Sequence, residues 1–402
     1  MQILLCLFLQ ETAFLRYGTV SGRLDYQSAE SRIGVDSMDT DRKKIFMIGL
    51  LGVAALLWGY HFTRIELEFP ETHIDGLLVC SEDDNDDFMR ASDRGWFIFG
   101  EPYKELFHET LANSVNIDNQ VMAIAARNDI PDAGRVEALA NLTQLYPGNR
   151  LGNILFLNEC AVSPNHPFCD KVDVEAANAV NQDNAMSWAL LAVYRAAQDD
   201  EYGVDRAMAR AASAPIFEDY FGVQIGLLRS AIPPESDYLK IALIWDQIAR
   251  NMPSFVLNIA GRITHLCGSA DAVRSGLHQS CLNFGERMQV QSKSTLMRLV
   301  GSGVQQVSYE VLGNEVEVAR LEQEFLDYSS NRMSPGSPEE QFNRVGTLLI
   351  HDLDLVMFWL ENLAEHGEGA TTMANTLAEA KRRSADPDYA PCKSPGLRIH
   401  YR

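Results

Sequence analysis

The sequence predicts an all-α protein: an N-terminal transmembrane helix, a region of helical hairpins, then a C-terminal helical bundle. Three observations predict it. An uncharged stretch, Ile45–Phe62, follows the basic triplet Arg42-Lys43-Lys44. Beyond residue 101, apolar residues recur at helical spacing, and Pro and Gly gather between the periodic stretches. Two similar turn signals, Tyr146-Pro-Gly-Asn149 and Asn181-Gln-Asp-Asn184, stand 35 residues apart (181 − 146).

Ile45–Phe62 is eighteen residues long, about 27 Å as a helix, close to the hydrocarbon thickness of a bilayer. Trp58 and Tyr60 stand near its far end, where amphipathic rings favour the headgroup zone. Three cations precede it and Arg64 follows, so the positive-inside rule leaves the N-terminus in the cytoplasm and exports everything after about residue 64. Trp, Tyr, His and Phe at the end of the segment argue against signal-peptide cleavage. The anchor is thus 42–64, and residues 1–41 read as disordered or mis-annotated, with Met38 a better natural start. Ala55 and Gly59 form a small-xxx-small pair that would favour self-association. A bacterial inner membrane, with the main domain periplasmic, is the expected setting.

Residues 65–100 read as an acidic juxtamembrane connector. Its run Glu82-Asp-Asp-Asn-Asp-Asp87 lacks the EF-hand pattern and reads as a solvated charge cluster. Hairpins are expected over 101–232, a helical domain over 233–385, and a disordered tail over 386–402. Asn184 and Ser236 are N-cap candidates, and Ser337-Pro338-Glu339-Glu340 is a capping box with proline at the first helical position. Tyr238, Ile241, Trp245 and Ile248 mark one helical face, and Tyr220, Val223 and Leu227 another.

Trp188-Ala-Leu-Leu191-Ala192-Val-Tyr194 resembles the first helix of a tetratricopeptide repeat, W-x2-L-G-x2-Y, with Ala192 in place of glycine. Ala207, Ala211 and Ala214 resemble the small-residue pattern of the second helix, displaced by about three residues from its usual spacing. Each turn signal follows an alanine-containing helix: Ala138 and Ala140, then Ala176, Ala177 and Ala179. The resemblance covers roughly 118–217 and implies stacked helix pairs, in which Trp188, Leu191, Ala192 and Tyr194 are architectural.

Six cysteines follow the anchor. Cys160 and Cys169 bracket the turn Ser-Pro-Asn-His-Pro-Phe, and Cys267 and Cys281 bracket another polar turn, so two local disulfides are expected in an oxidising compartment. The sequence does not fix whether Cys80 pairs with Cys392. A rival reading joins His265, Cys267, His278 and Cys281 around zinc, but the spacing matches no familiar zinc signature. Leu348–Leu360 reads as one buried helix interrupted by His351, Asp352 and Asp354. Those residues are either a satisfied buried network or an acid–base pair. Glu361, Glu365, His366 and Glu368 read as a solvated helix end.

The formal net charge is −21. Residues 1–64 hold seven Lys/Arg and six Asp/Glu, so the remainder carries −22. Such a field repels nucleic acid and anionic lipid. The sequence has no H-E-x-x-H, G-x-S-x-G, P-loop or strand-borne G-x-G-x-x-G, and no metal or cofactor is expected. The function expected is an extracytoplasmic helical scaffold binding a protein or peptide, without catalysis. The alternatives are an anchored enzyme using His351 and Asp354, and a small-molecule-binding helical domain.

Overall fold

The computed structural model describes residues 72–74, 76–80, 102–127, 132–234, 237–269, 276–332 and 337–392. Contacts divide the chain into Thr72–Tyr389 and a second unit made of 1–71 and 390–402, of which only 390–392 are described. The anchor expected at 45–62, the acidic run 82–87 and Ser236 lie outside the described residues. Among the described residues, no helix is long and apolar enough to cross a membrane.

The described chain is mostly helical, with almost no strand. Within the stretch expected to be plain connector, Thr72–Ile74 (β1) and Leu77–Val79 (β2) pair as an antiparallel hairpin. Gly76 turns it with φ 76°, a conformation that costs glycine nothing. Leu77 and Leu78 are buried, which explains the hairpin: two large apolar side chains are worth docking.

Helices follow at 102–112 (α1), Ile117–Ala125 (α2), Asp132–Leu145 (α3), Arg150–Val162 (α4), Pro167–Lys171 (α5), Val174–Val180 (α6), Ala185–Ala196 (α7), Glu201–Ser213 (α8) and Phe221–Ser230 (α9). The helices α2, α4 and α7 each begin behind an asparagine N-cap. Asn116 accepts from Asp118 N, Asn149 from Gly152 N and Asn184 from Met186 N. These caps are 33 (149 − 116) and 35 (184 − 149) residues apart. At the next step the cap position falls on Tyr220, held at φ 58°, and Asp219 Oδ1 accepts from Phe221 N at 3.0 Å instead.

The turns are stitched to their neighbours one repeat away. Asn149 Nδ2 donates to Asp118 Oδ1 at 2.6 Å, and Asn184 Nδ2 donates to Glu218 O at 2.8 Å. Arg150 donates to Asp183 through both terminal nitrogens, at 3.2 and 2.6 Å, and through Nε to Asn181 Oδ1 at 3.0 Å. Beneath the turns α4 packs on α3, α6 and α7, and α7 on α8. Ile154, Phe156, Met186, Leu190 and Met208 are wholly buried there. The result is a helical repeat-like stack.

The chain continues through Asp237–Gly268 (α10), Leu277–Gln291 (α11), Thr295–Val311 (α12), Glu315–Arg332 (α13), Pro338–Leu349 (α14), Leu353–His366 (α15) and Ala370–Ser384 (α16). Helix α11 packs closely on α12, and the two meet at Gly285 and Gly301. A Cβ on Gly301 would lie 2.6 Å from Gly285 O, so the missing side chains are what allow the approach. The stack joins this region where α8 packs on α11 and α9 on α15. Strand β2 rests on α14 and α16, and Leu78 N donates to Ser384 Oγ at 2.9 Å.

The single helix expected over Leu348–Leu360 is two helices. Asp352 breaks the run: its backbone is extended (φ −113°, ψ 100°) and its carboxylate accepts from Leu355 N at 2.9 Å, capping α15. An N-cap aspartate ahead of an apolar run satisfies an orphan N–H that a continuous helix would have bonded internally.

Candidate functional site

The turn before α7 builds an open recess in the stack. Asn184 caps the helix, and the Trp188 indole Nε1 donates to Gln182 O at 2.8 Å, tying the half-buried ring to that turn. The segment after α8 returns alongside. Ala185 N donates to Ile216 O at 2.8 Å, and Ile216 N to Asp183 O at 3.1 Å, an isolated parallel bridge. Gln182, Trp188, Arg210, Ser213, Ala214 and Pro215 thereby line a cleft of about 250 Å³. Ser213 Oγ donates back to Ala209 O at 2.8 Å. Leu191, Ala192 and Tyr194 turn the other way into the core. Tyr194 follows Trp188 by six residues, one short of the tetratricopeptide spacing (194 − 188). Burial raises its phenol pKa.

The residues considered for catalysis are placed differently. His351 and Asp354 do not share a helix face, because the chain breaks between them: His351 follows the end of α14 and Asp354 lies in the first turn of α15. Asp354 is 84% exposed. Asp352 is buried, and its carboxylate is committed to structure. Besides capping α15, it accepts from Arg383 Nη1 at 3.1 Å and from Tyr389 OH at 2.6 Å. Burial and that bond push the Tyr389 phenol pKa up. Desolvation lowers the His351 imidazole to about 4, so it is neutral at pH 7.

Cys160–Cys169 and Cys267–Cys281 stand as disulfides, with Cα atoms 5.6 and 5.8 Å apart. The first links α4 to α5 and the second α10 to α11. Cys80 is disulfide-bonded, and Cys392 likewise is in a disulfide. The zinc alternative at His265 and His278 fails on chemistry, because Cys267 and Cys281 have no thiolate to offer. Among the described residues, no group of three His, Cys, Asp or Glu is positioned to hold a metal.

Sequence reasoning missed a second polar centre. Glu368, read as part of a solvated helix end, turns its carboxyl inward. Oε2 accepts from Thr295 N at 2.7 Å and Ser294 Oγ at 3.4 Å, and Arg298 donates to Glu368 O. Asp219 accepts from Ser292 Oγ and from Ser294 N (3.3 Å) in the same junction. Desolvation raises the pKa of Glu368 and of neighbouring Glu218. These contacts bind the starts of α9 and α12 to the α15–α16 turn. Their sequence separation, 70 residues and more, left no local signal.

Among the described residues, two buried polar centres hold elements together, and the cleft at Trp188 and Arg210 faces solvent. No family model, curated protein or solved structure matches the chain.

Proposed function

We propose that the chain is a membrane-anchored extracytoplasmic scaffold whose stacked hairpins bind a protein or peptide partner. The observation that supports it best is the one-repeat stitching of successive turns, Asn149 to Asp118, Arg150 to Asp183 and Asn184 to Glu218. Turns bonded at that offset keep hairpins in register, and registered hairpins expose a continuous face suited to an extended partner. Residues 45–62 supply the anchor in this reading, with 101–232 as the hairpin domain, 233–385 as the C-terminal domain and the periplasm as the compartment. The disulfides fit an oxidising compartment. In the alternative enzyme reading, which uses His351 and Asp354, the chain breaks between the two residues, and Asp352 beside them is engaged by Leu355 N, Arg383 and Tyr389.

The test is crosslinking of the intact protein in its native membrane, followed by mass spectrometry. A specific partner that disappears when residues 185–215 are altered, with the domain still folded, supports the scaffold. Capture that is indifferent to those changes overturns it.

A further inference from the structure

We infer that the cleft between Trp188 and Arg210 is a recognition pocket for a carboxylate borne by a peptide, which specifies what the proposed scaffold binds and rests on that reading. The argument begins with charge. In a chain with 55 Asp+Glu against 34 Lys+Arg, an arginine finds a carboxylate easily. Across 102–230 every other arginine does so. Arg127 pairs with Glu105, Arg135 with Glu159, Arg150 with Asp183, Arg195 and Arg206 with Glu175, and Arg229 with Glu361. Arg210 has no carboxylate partner among the described residues, and it lines the cleft beside the turn before α7. Its guanidinium offers a fork of donors matched to a carboxylate.

The rest of the lining fits the remainder of such a ligand. Trp188, fixed by its bond to Gln182 O, and Pro215 supply the apolar part of a mostly polar lining. The Gln182 side chain is exposed and supplies amide donors to a second carboxylate oxygen or a peptide carbonyl. Ser213, whose hydroxyl proton goes to Ala209 O, faces the cleft as an acceptor for a peptide N–H. The volume of about 250 Å³ falls below the range of cofactor pockets, ~300–1,000 Å³, and suits one or two residues of a peptide. The carboxylate could belong to an Asp or Glu side chain or to a chain terminus.

The full chain in detergent, labelled with fluorotryptophan, tests this through the ¹⁹F resonance of Trp188, assigned from Trp188→Phe. Three probes distinguish the sources: a capped pentapeptide with a central Glu, the same peptide with Gln, and the Gln peptide with a free C-terminal carboxylate. The Trp188 resonance should shift with the Glu peptide, the free-terminus peptide or both, and not with the capped Gln peptide. Arg210→Gln should weaken that binding about tenfold or more, with an unchanged melting curve, since Arg210 is exposed. Equal binding of the capped Gln peptide, binding indifferent to Arg210→Gln, or no shift with either carboxylate probe at ~10 mM would overturn the pocket. Crosslinking with Arg210→Gln separates the two ideas. A partner still captured, beside a cleft blind to carboxylate, leaves the scaffold standing and removes this site.

Discussion

Glu368 Oε2 accepts a 2.7 Å hydrogen bond from Thr295 N, so a carboxylate 73 residues away caps α12. The N-cap residue itself, Ser294, makes no side-chain cap bond, and Glu368 takes over that role. Glu368→Ala should therefore cost about 1–3 kcal/mol, the loss of a cap together with a buried donor left unmet. Glu368→Gln, which keeps an acceptor, should cost less. Denaturant unfolding of the two variants measures the difference.

The same carboxyl has a pH signature. Burial raises its folded pKa above the ordinary 4.5, so over that interval the folded state holds more protons than the unfolded one. Its contribution is full below 4.5 and is lost as pH rises through the folded pKa. The stability of the wild type relative to Glu368→Gln should fall across that window. A flat difference curve would show that the carboxyl is hydrated.

What was legible in the sequence follows the range of the interactions. Asn184 and Ser337 cap their helices within three residues, and Cys160 and Cys169 meet across nine. Local chemistry of this kind shows in spacing. Asp352 was read as a polar interruption of one buried helix, because the apolar run continues on both sides of it. Glu368 carries no such signal, because its partners lie 70 and more residues away, and Asp219 shows locally only its bond from Phe221 N, not its tie to Ser292 73 residues on. The Trp188 pattern pointed to helical hairpins, while Arg210 became a candidate only once its lack of a partner could be seen beside the paired arginines.

His351 should give a pH dependence of the opposite sign. Its imidazole is depressed from 6.5 to about 4 by desolvation, so the unfolded chain binds the extra proton between those values. The stability it contributes is complete above 6.5 and is lost as pH falls toward 4. Allowing for partial exposure, the loss is about 1–3 kcal/mol. Thermal melts of wild type and His351→Gln at pH 7 and pH 4.5 test it: the gap should close or invert at the lower pH.

The two local disulfides close spans of nine and fourteen residues. In the loop-entropy model these contribute about 2.5 and 3 kcal/mol. Replacing Cys160 and Cys169 together by serine should lower stability by roughly the first amount, and Cys267 with Cys281 by the second. Replacing a single member should also expose one titratable thiol, the partner cysteine, after unfolding. Thiol counting on denatured single variants checks the pairing independently of stability.

The contact between α11 and α12 predicts opposite outcomes for the same substitution on one helix. Gly301→Ala places a methyl 2.6 Å from both Gly285 O and Gln289 N, backbone atoms that cannot swing aside. The helices must separate, and overpacking of this kind costs about 1–3 kcal/mol. Gly303→Ala, two residues on in the same helix, meets nothing within 4 Å. There the methyl only removes backbone freedom from the unfolded chain and improves helix propensity, a gain of about 0.5–1 kcal/mol. Propensity favours alanine equally at both positions, so only the packing separates them. If unfolding midpoints rise for both variants, the helices are not in close contact at Gly301. If 301 falls while 303 rises, the two glycines serve different purposes, the first to admit a neighbouring helix and the second none that packing can explain.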